Sequence, residues 1–396
     1  MDSAELARLL TPEGLRLLDS LPPYTAGGGS DQVASLRRAG HPAELVAAVL
    51  TQARLREKAR AKFGEFAERM LFTPAGLEQA TRLRVAALHA GRFRDAGAQR
   101  VADLGCGLGS DALAVAALGI GVLAVERDEV TAAVATYNLA AFPDAEVVLG
   151  SAEQQPLDGV DAVYLDPARR TTGTGQTSRL TRPDDYTPSI DFAFGLAERL
   201  PTGVKLGPGF DRSLIPTGAE AQWVSVEGQL VEMGLWFGSL ARDGIRRSAL
   251  VLSRDGAAEL SAPADSPDAE VRSLGDYLHE PDGAVIRARL IGELAERAGA
   301  GMLSEGIAYL TSDAPLASPF ATSFRILERL PASEPALKRA LRERGVGTLE
   351  IKKRGTDVDP AALRKRLGLR GNRTATLVLT RVAGAHEALL VERVTQ

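Results

Sequence analysis

Cysteine and histidine are scarce in this chain of 396 residues, which has one cysteine, Cys106, and four histidines. A single cysteine cannot form an internal disulfide, and it cannot build a zinc site made of cysteines. The histidines, at positions 41, 89, 279 and 386, lie far apart, and none stands at the i, i+4 spacing that places two ligands on one helix face. The sequence therefore predicts no metal site.

Long apolar runs are also missing. The sequence has no stretch of about 18 uninterrupted apolar residues, so we expect no membrane-spanning helix and no membrane partner. The first ten residues, MDSAELARLL, are polar and lack a basic segment followed by an apolar core, unlike a secretion signal. We expect a cytoplasmic protein.

The composition is that of a globular protein, but its charge is unevenly distributed. Hydrophobic residues make up 45% of the chain and charged residues 25%, and the net charge is −4. Residues 331–396 hold 14 Lys and Arg against 7 Asp and Glu, a net charge of +7, which leaves −11 for residues 1–330. A basic C-terminal region on an acidic body favours a polyanionic partner for that region.

The most informative stretch is VADLGCGLGSDALAVA, Val101–Ala116, an apolar run that ends in closely spaced glycines before a helical pattern. Gly105 and Gly107 permit positive φ angles and close approach of a ligand, and Gly109 lets a helix start close to the strand. Alone, such a triplet is as typical of a structural turn as of a cofactor site. A second apolar strand that ends in Glu126 favours the cofactor, because an acid there can accept hydrogen bonds from a ribose.

The chain divides by pattern into four predicted regions: helices over 1–95, alternating strands and helices over 96–275, and two small α+β modules over 276–330 and 331–396. The alternation predicts a doubly wound, mostly parallel sheet. Within these regions we expect a loop at Asp255–Ser273 and one helix at Gly283–Ala298. The aperiodic segment Arg170–Thr187 is typical of a substrate lid.

A second candidate site follows the fourth predicted strand. The segment reads Asp166-Pro167-Ala168-Arg169-Arg170, and strand carboxyl ends line the ligand crevice of such sheets. The proline stiffens the loop and fixes the pose of Asp166. Lys205 ends the fifth predicted strand, where it either meets the substrate or only caps the strand.

Two basic clusters in the last region are candidate polyanion contacts: Lys352, Lys353 and Arg354 at a strand end, and Arg364, Lys365 and Arg366 on a short helix. If the clusters share one face, they form a phosphate-binding patch. Otherwise they are an ordinary solvated surface.

These motifs resemble the class I S-adenosylmethionine-dependent methyltransferases, and specifically bacterial members with a C-terminal THUMP-like domain. The resemblance rests on Asp103-x-Gly105-x-Gly107-x-Gly109, on Glu126 and Asp166-Pro167, and on the segments LEQAT (77–81), LDPARR (165–170) and VKLG (204–207). It implies a Rossmann-like sheet followed by a ferredoxin-like and a THUMP-like module. The G-x-G-x-G spacing favours the methyl donor over a dinucleotide, whose fingerprint is G-x-G-x-x-G.

The resemblance also implies which residues bind S-adenosylmethionine. Glu126 would hold the ribose, the glycine turn the methionine end, and the segment Ser151–Glu153 the adenine. The full set of expected cofactor residues is Asp103, Gly105, Cys106, Gly107, Gly109, Asp111, Glu126, Arg127, Ser151, Ala152, Glu153 and Asp166. For Asp111, a role at the start of the following helix is an equal alternative.

Asp166 and Pro167 are the expected catalytic residues, since Asp-Pro is similar to the Asp/Asn-Pro-Pro-aromatic motif of methyltransferases that act on exocyclic amino groups. Ala168 and Arg169 stand where that motif has proline and an aromatic residue. We expect no cysteine nucleophile of the kind used for C5 methylation, because Cys106 lies inside the glycine turn. We expect Arg169, Arg170, Lys205 and the basic clusters to bind the substrate.

The sequence therefore predicts an enzyme that methylates a base of structured RNA, such as tRNA or rRNA. Two alternatives stay open. One is a methyltransferase for a small molecule or a protein, and the other is a catalytically degenerate protein that binds the cofactor or RNA. The target nucleotide and the oligomeric state are open as well.

Overall fold

A computed structural model describes residues 1–22, 24, 29–169 and 186–394. The chain forms two compact units, of which the first comprises Met1–Leu206 with Trp236–Leu240 and the second Gly207–Leu235 with Ala241–Gln396. The four regional boundaries predicted from the sequence stay predictions.

The first unit begins with helices, as the sequence predicts, and they are α1 (Ser3–Leu9), α2 (Pro12–Ser20), α3 (Gly29–Arg38), α4 (Ala43–Phe63), α5 (Pro74–Gln79) and α6 (Leu83–Asp95). Side-chain caps set several of their starts: Thr11 accepts a hydrogen bond from the Gly14 amide, and Thr73 accepts one from the Gly76 amide. Helix α4 is tied to the chain that follows it, because the Gln52 amide both donates to and accepts from the backbone of Phe72.

Strands and helices then alternate: β1 (Arg100–Leu104), α7 (Ser110–Ala116), β2 (Gly121–Glu126), α8 (Glu129–Leu139), β3 (Ala145–Leu149), β4 (Ala162–Leu165), β5 (Ala168–Arg169), β6 (Tyr186–Thr187), α9 (Ile190–Ala197) and β7 (Thr202–Leu206). Five strands pair in parallel in the order β7, β4, β1, β2, β3. Strands β1, β4 and β7 are buried almost throughout, as expected of a sheet covered on both faces. Their carboxyl ends meet at one edge and position the candidate site.

The next strands are β8 (Glu220–Val226), β9 (Gln229–Phe237), β10 (Arg247–Ser253) and β11 (Gly256–Ala262), which belong to the second unit except for the last two residues of β9. Strand β10 pairs in parallel with β8 and in antiparallel with β11. The loop predicted over Asp255–Ser273 is therefore wrong in its first part, which is a strand. Its sequence, GAAELSA, has small residues of low strand propensity, so the partner β10 decides the conformation.

A seven-stranded sheet occupies the rest of the second unit. Its elements are β12 (Tyr277–Pro281), α10 (Gly283–Arg287), α11 (Ile291–Ala298), β13 (Gly301–Met302), β14 (Leu310–Ser312), β15 (Ala321–Leu330), α12 (Glu334–Glu343), β16 (Val346–Lys353), α13 (Pro360–Leu367), β17 (Arg373–Val382) and β18 (Ala385–Arg393). The strand order is β13, β14, β12, β15, β18, β17, β16. Because β15 pairs with both β12 and β18, the two modules predicted on either side of Leu330 share one sheet.

The helix predicted between β12 and β13 differs from the structure. The single helix predicted over Gly283–Ala298 is two helices, since Arg289 adopts a φ of 59° between them.

Helices α12 and α13 pack leucines such as Leu341 and Leu367 against one face of the sheet. A second apolar cluster, which includes Tyr309 and Phe324, covers the other face.

Candidate functional site

The glycine turn between β1 and α7 has the backbone conformation that the sequence predicts. Gly105, Gly107 and Gly109 have φ angles of 92°, 55° and 80°. The amides of Gly105 and Cys106 both donate to the Val125 carbonyl, at 2.9 and 3.0 Å, which fixes the turn against the end of β2. A Cβ on Gly107 would meet no atom of the described residues within 4 Å, so these residues leave open space at the centre of the turn. Gly109, by contrast, is packed against Leu139 of α8.

Glu126 is held at the end of β2 by two backbone amides. Its Oε2 accepts a hydrogen bond from the Gly107 amide at 3.1 Å, and its Oε1 accepts one from the Asp128 amide at 2.9 Å. The side chain is only partly buried. Its carboxylate therefore stands beside the glycine turn in a fixed orientation and keeps lone pairs for the hydroxyl groups of a ligand.

Asp103, the last polar residue before the turn, is 3% exposed, and its Oδ2 has no hydrogen-bond partner among the described residues. Burial, followed by the nearby carboxylates of Asp111 and Asp166, raises the pKa of Asp103 well above its usual range. A buried and unsatisfied carboxyl oxygen is costly for a folded protein. It is the kind of group that a polar ligand at the turn would satisfy.

Cys106 is a buried free thiol within the same turn. Burial raises its pKa, and the negative charges of Asp103 and Glu126 raise it further. Since the thiolate is the nucleophilic form of cysteine, this thiol is poorly suited to attack a substrate at neutral pH.

Beneath the turn, Asp111 of α7 is held by His89 of α6. His89 Nδ1 lies 2.9 Å from Asp111 Oδ1 and 3.0 Å from the hydroxyl oxygen of Tyr164. Burial alone would raise the pKa of Asp111, but the hydrogen bond and charge of His89, with help from Lys205 and Thr81, lower it below its usual range. Trp236 completes the group, with its ring centroid 5.5 Å from that of His89.

The same polar network reaches the end of β4. Lys205 Nζ lies 2.5 Å from Asp166 Oδ2 and donates to Thr81 Oγ1 at 2.9 Å. Lys205 and Thr81 are buried, while the Asp166 side chain is 34% exposed. A charge-assisted bond of this length fixes one carboxylate oxygen and leaves the carboxyl group accessible at the sheet edge.

Sequence reasoning gave no role to His89 or Tyr164. Thr81 closes the LEQAT segment, and the sequence allowed two interpretations of Phe72–Thr81, a structural cap or a cover over the cofactor or substrate mouth. His89 was a scattered histidine in the sequence, because its partners lie 22 and 75 residues away. A polar residue on the buried face of a helix was the only available signal.

The remaining predicted site residues are distributed along the same edge. The Ser151 hydroxyl bonds to the Glu153 carboxylate, and Ala152 is buried between them. The Gly150 amide donates to the Glu126 carbonyl at 2.9 Å, which links this segment to the end of β2. Arg127 is exposed there, and Pro167 is buried after Asp166.

Strand β5, Ala168–Arg169, pairs in antiparallel with β6, Tyr186–Thr187. This pairing returns the chain toward the glycine turn, where Pro188 lies about 3.9 Å from the position of a Cβ on Gly105. Of the lid predicted over Arg170–Thr187, residues 170–185 lie outside the described residues, and the last two, Tyr186 and Thr187, form β6 rather than an irregular loop.

The sheet divides the first basic cluster, because Lys353 alternates with Lys352 and lies, like Ile351, on the face that α13 covers. Lys352 pairs with Glu280 at 2.7 Å and lies over the Phe324 ring, and Arg354 lies over the Tyr309 ring, so both follow one face of the sheet. Helix α13, which carries the second cluster, packs on the opposite face. In that cluster Arg364 donates to the Leu349 carbonyl and Arg366 pairs with Glu334. Lys353 and Lys365 are exposed.

Across the described ranges, no group of three or more His, Cys, Asp or Glu residues is arranged to hold a metal ion. No helix in the part of the chain that the structure describes is long and apolar enough to cross a membrane.

The edge of the sheet fits a nucleoside that carries a charged amino-acid tail. Gly107 leaves room for the ligand, Glu126 offers a fixed carboxylate for a ribose, and Asp103 offers an unsatisfied buried oxygen. The positive end of the α7 dipole points to the same place.

Comparison with known proteins agrees with this geometry. A family model described as THUMP domain-like matches residues 321–393, and a model described as a domain of unknown function matches residues 2–59. Proteins of Mycobacterium tuberculosis strains CDC 1551 and H37Rv, each named an uncharacterized S-adenosylmethionine-dependent methyltransferase, are 33% identical to this chain over 336 residues. The match covers 83% of this chain and 90% of each relative.

A solved structure is similar over the full length. The crystal structure of a protein from Porphyromonas gingivalis W83, named as a methyltransferase, covers 100% of both chains with a TM-score of 0.75 and 22% sequence identity. At this identity the similarity establishes the fold alone.

Proposed function

This chain belongs to the S-adenosylmethionine-dependent methyltransferases, and from that premise we propose that it methylates an exocyclic amino group on a base of structured RNA, such as tRNA or rRNA. Membership rests on relatives that are 33% identical over 83% of this chain. The class I methyltransferase fold, the THUMP-like region and S-adenosylmethionine as cofactor, all predicted from the sequence, are confirmed.

The observation that supports RNA as the substrate is that the THUMP-like region contains exposed arginines without an acidic partner among the described residues. Four arginines at the edges of its sheet and helices are neutralised by glutamates: Arg325 by Glu392, Arg329 by Glu387, Arg344 by Glu328 and Arg366 by Glu334. Arg342, Arg370 and Arg373 are exposed and have no carboxylate partner among the described residues. Exposed cations without acidic partners are suited to the phosphates of a nucleic acid.

Cofactor binding is assigned to the edge where β1, β2 and β3 end. The glycine turn takes the methionine end, with Asp103 beneath it, Glu126 takes the ribose hydroxyls, and the Ser151–Glu153 segment takes the adenine. When bound, S-adenosylmethionine supplies an electrophilic methyl group on its sulfonium. The chain contributes orientation and charge rather than covalent chemistry.

Asp166 is the proposed acceptor-binding residue. Its carboxylate accepts hydrogen bonds from the N–H groups of the amine, which turns the nitrogen lone pair toward the methyl group. Lys205 is a positioning residue, because its ammonium fixes Oδ2 of Asp166 and is itself braced by Thr81. Pro167 restricts the backbone of Asp166 and keeps the carboxylate in place.

Methylation at C5 of a pyrimidine does not suit this site. That chemistry uses a cysteine nucleophile, and the one cysteine of the chain is the buried, protonated thiol of Cys106 within the turn. Amino-group methylation needs no covalent intermediate and is served by the carboxylate of Asp166.

The test is transfer of radiolabelled methyl groups to separate pools of tRNA, rRNA, protein and small metabolites, followed by nucleoside analysis of any labelled RNA. We expect label in RNA, on an exocyclic amino group. Label in protein or metabolites only would contradict RNA as the substrate. No label in any pool, despite cofactor binding by calorimetry, would identify a degenerate binding protein.

A further inference from the structure

A cleft in the THUMP-like region has no role in methyl transfer as described above. It has a volume of about 210 Å³ and is lined by Arg342, Val346, Gly368, Arg370 and Gly371. We infer that this cleft binds a phosphate group of the RNA substrate, an inference that rests on the RNA proposed above. All five lining residues belong to the second unit, whereas the residues assigned to the cofactor belong to the first.

The walls of the cleft are built from backbone that approaches too closely for side chains. A Cβ on Gly371 would overlap the carbonyl of Gly345, and a Cβ on Gly347 would overlap the carbonyl of Gly371. The Gly371 amide donates to the Val346 carbonyl at 3.2 Å, which joins the two segments. Gly368 adopts a φ of 52° where α13 ends, so the chain turns sharply into the cleft wall. The cleft is thus a fixed part of the fold.

The charge of the cleft is positive. None of the five described residues that line it is acidic, and two are arginines. Arg342 extends across the end of α13, where its Nη2 lies 3.4 Å from the Gly368 carbonyl. Arg373 adds a third guanidinium nearby, because its amide bonds to the Gly345 carbonyl at 3.0 Å and its Cδ lies about 4.0 Å from the Cβ position of Gly345.

Phosphate is the ligand that this arrangement suits best. Guanidinium groups bind phosphate oxygens through paired N–H donors, and arginine favours such planar, bidentate contacts over a simple point charge. The volume is several times the roughly 30 Å³ that one water molecule takes in the liquid, so the cleft has room for a phosphate group.

The other cations of the region serve different purposes. Lys352 and Arg354 are engaged on the far face of the sheet, and Arg344 and Arg366 are paired with glutamates. These four residues are therefore less suited to phosphate than Arg342 and Arg370, which line the cleft. Lys353 and Lys365 of the predicted clusters are exposed but are not among the described residues that line it.

The experiment compares the full-length protein with Arg342→Gln/Arg370→Gln and with a matched control, Arg297→Gln/Arg381→Gln, which removes the same charge away from the cleft. Binding to a structured RNA substrate is measured between about 50 and 200 mM salt. We expect the cleft variant to bind roughly tenfold more weakly and its log–log salt slope to fall by about one per lost contact, while the control changes little. Equal effects of the two variants would overturn the inference.

Two forms of the same RNA, with a 5′-hydroxyl or a 5′-monophosphate end, distinguish the source of the phosphate. If the wild-type protein prefers the monophosphate form and the cleft variant does not, the cleft holds a terminal phosphate. If both forms lose affinity equally in the variant, it holds a phosphodiester. Thermal unfolding of each variant confirms that the fold is retained.

Failure of the inference and failure of the proposed function give different results. In the protein labelled with [15N]glycine, inorganic phosphate and RNA are each titrated while the amide signals of Gly368 and Gly371 are followed. If phosphate shifts these amide signals but RNA does not bind, the cleft is a phosphate site and RNA is not the substrate. If RNA binds and is methylated but the signals of these glycines do not change, the cleft does not bind the RNA phosphate and the proposed function stands.

Discussion

At the scale of single residues, Asp166 is held in a way that separates its role from cofactor binding. Its Oδ2 pairs with Lys205, whereas the ribose contact is assigned to Glu126. Replacing Asp166 with alanine should lower methyl transfer by about 100-fold or more, because the amine loses its orienting acceptor. Affinity for S-adenosylmethionine should stay within a few-fold. Transfer kinetics and calorimetry measure the two quantities.

Asp158→Ala is the matched control, since Asp158 is an exposed carboxylate in the same part of the chain. It should retain full activity. Asp166→Asn, which keeps an oxygen acceptor but loses the charge that Lys205 binds, should fall between wild type and the alanine variant. A fully active Asp166→Ala protein would show that the acceptor site lies elsewhere.

Asp103 should lower the stability of the folded protein at neutral pH and strengthen its binding of S-adenosylmethionine. Burial raises the pKa of Asp103. The free energy of unfolding is therefore highest at low pH, where the carboxyl group is protonated, and it decreases as pH rises from the ordinary carboxyl range through the raised pKa. Asp103→Asn removes this titration and should stabilise the protein by about 1–3 kcal/mol at pH 7 in urea unfolding. S-adenosylmethionine should bind roughly tenfold more weakly, a loss of about 1.4 kcal/mol.

The exposed Asp158→Asn variant should change neither stability nor cofactor affinity. If Asp103→Asn were stabilised but bound the cofactor as well as wild type, the unsatisfied oxygen would have a role other than cofactor binding.

The residues that sequence reasoning identified at this site are those with a local signature. The positive φ angles of Gly105, Gly107 and Gly109 follow from residue type and spacing, and Glu126 follows from its place after a strand. The pairing of Lys205 with Asp166 and of His89 with Asp111 arises only when distant elements pack. No spacing rule in one sequence encodes such contacts.

At the scale of elements, the close approach of β16 to the segment before β17 depends on glycine. Gly371→Ala should destabilise the protein by about 1–3 kcal/mol, because the new methyl group overlaps the Gly345 carbonyl and forces the two segments apart. Gly218→Ala adds a methyl group where no atom of the described part of the chain lies within 4 Å and should change stability little. Urea unfolding compares the two variants, and equal stabilities would contradict the close packing.

His279 joins three strands of the same sheet. On β12, its Nδ1 lies 2.9 Å from the Ser323 hydroxyl of β15, and its Nε2 lies 2.7 Å from the Ser312 hydroxyl of β14. Burial lowers the pKa of His279 to about 4. Its contribution to stability should therefore be complete above the ordinary histidine pKa of about 6.5 and should be lost as pH falls toward 4.

The slope from this one group is at most about 1.4 kcal/mol per pH unit. His279→Gln should flatten the pH dependence of urea unfolding between pH 4 and 6.5, whereas the exposed His386→Gln should leave it unchanged. An unchanged profile in His279→Gln would show that the histidine does not titrate on unfolding.

Element prediction succeeded where a strand has its own apolar pattern, as in β1, β2 and β4. It failed at β11, whose alanines and serines become a strand only beside β10. It also could not see that β15 joins strands from both sides of Leu330, because pairing partners across a sheet leave no periodic mark in the chain.

At the scale of the whole molecule, deleting residues 331–396 is not a clean test of RNA binding. The deletion would remove β16, β17 and β18, leave β15 paired only with β12, and expose the apolar cluster around Phe324. Substitutions in the full-length chain are the appropriate probes.

The two ligands should protect different units from hydrogen exchange. S-adenosylhomocysteine should slow exchange at the amides of residues 105–109 and 128 in the first unit, because these groups surround the proposed cofactor site. RNA should slow exchange at residues 368–373 in the second unit. The Asp103→Asn variant serves as the control and should lose protection only for the cofactor. Protection of the turn by RNA alone would contradict these assignments.

The shielded thiol in the glycine turn also makes this chain suited to optical work. Cys106 is the sole cysteine, and its burial and raised pKa slow its reaction with maleimides and iodoacetamides. A second cysteine placed on an exposed loop would react selectively, without mutating the native one. One fluorophore attached in this way could report nucleic-acid docking in real time while the cofactor turn keeps its native sequence.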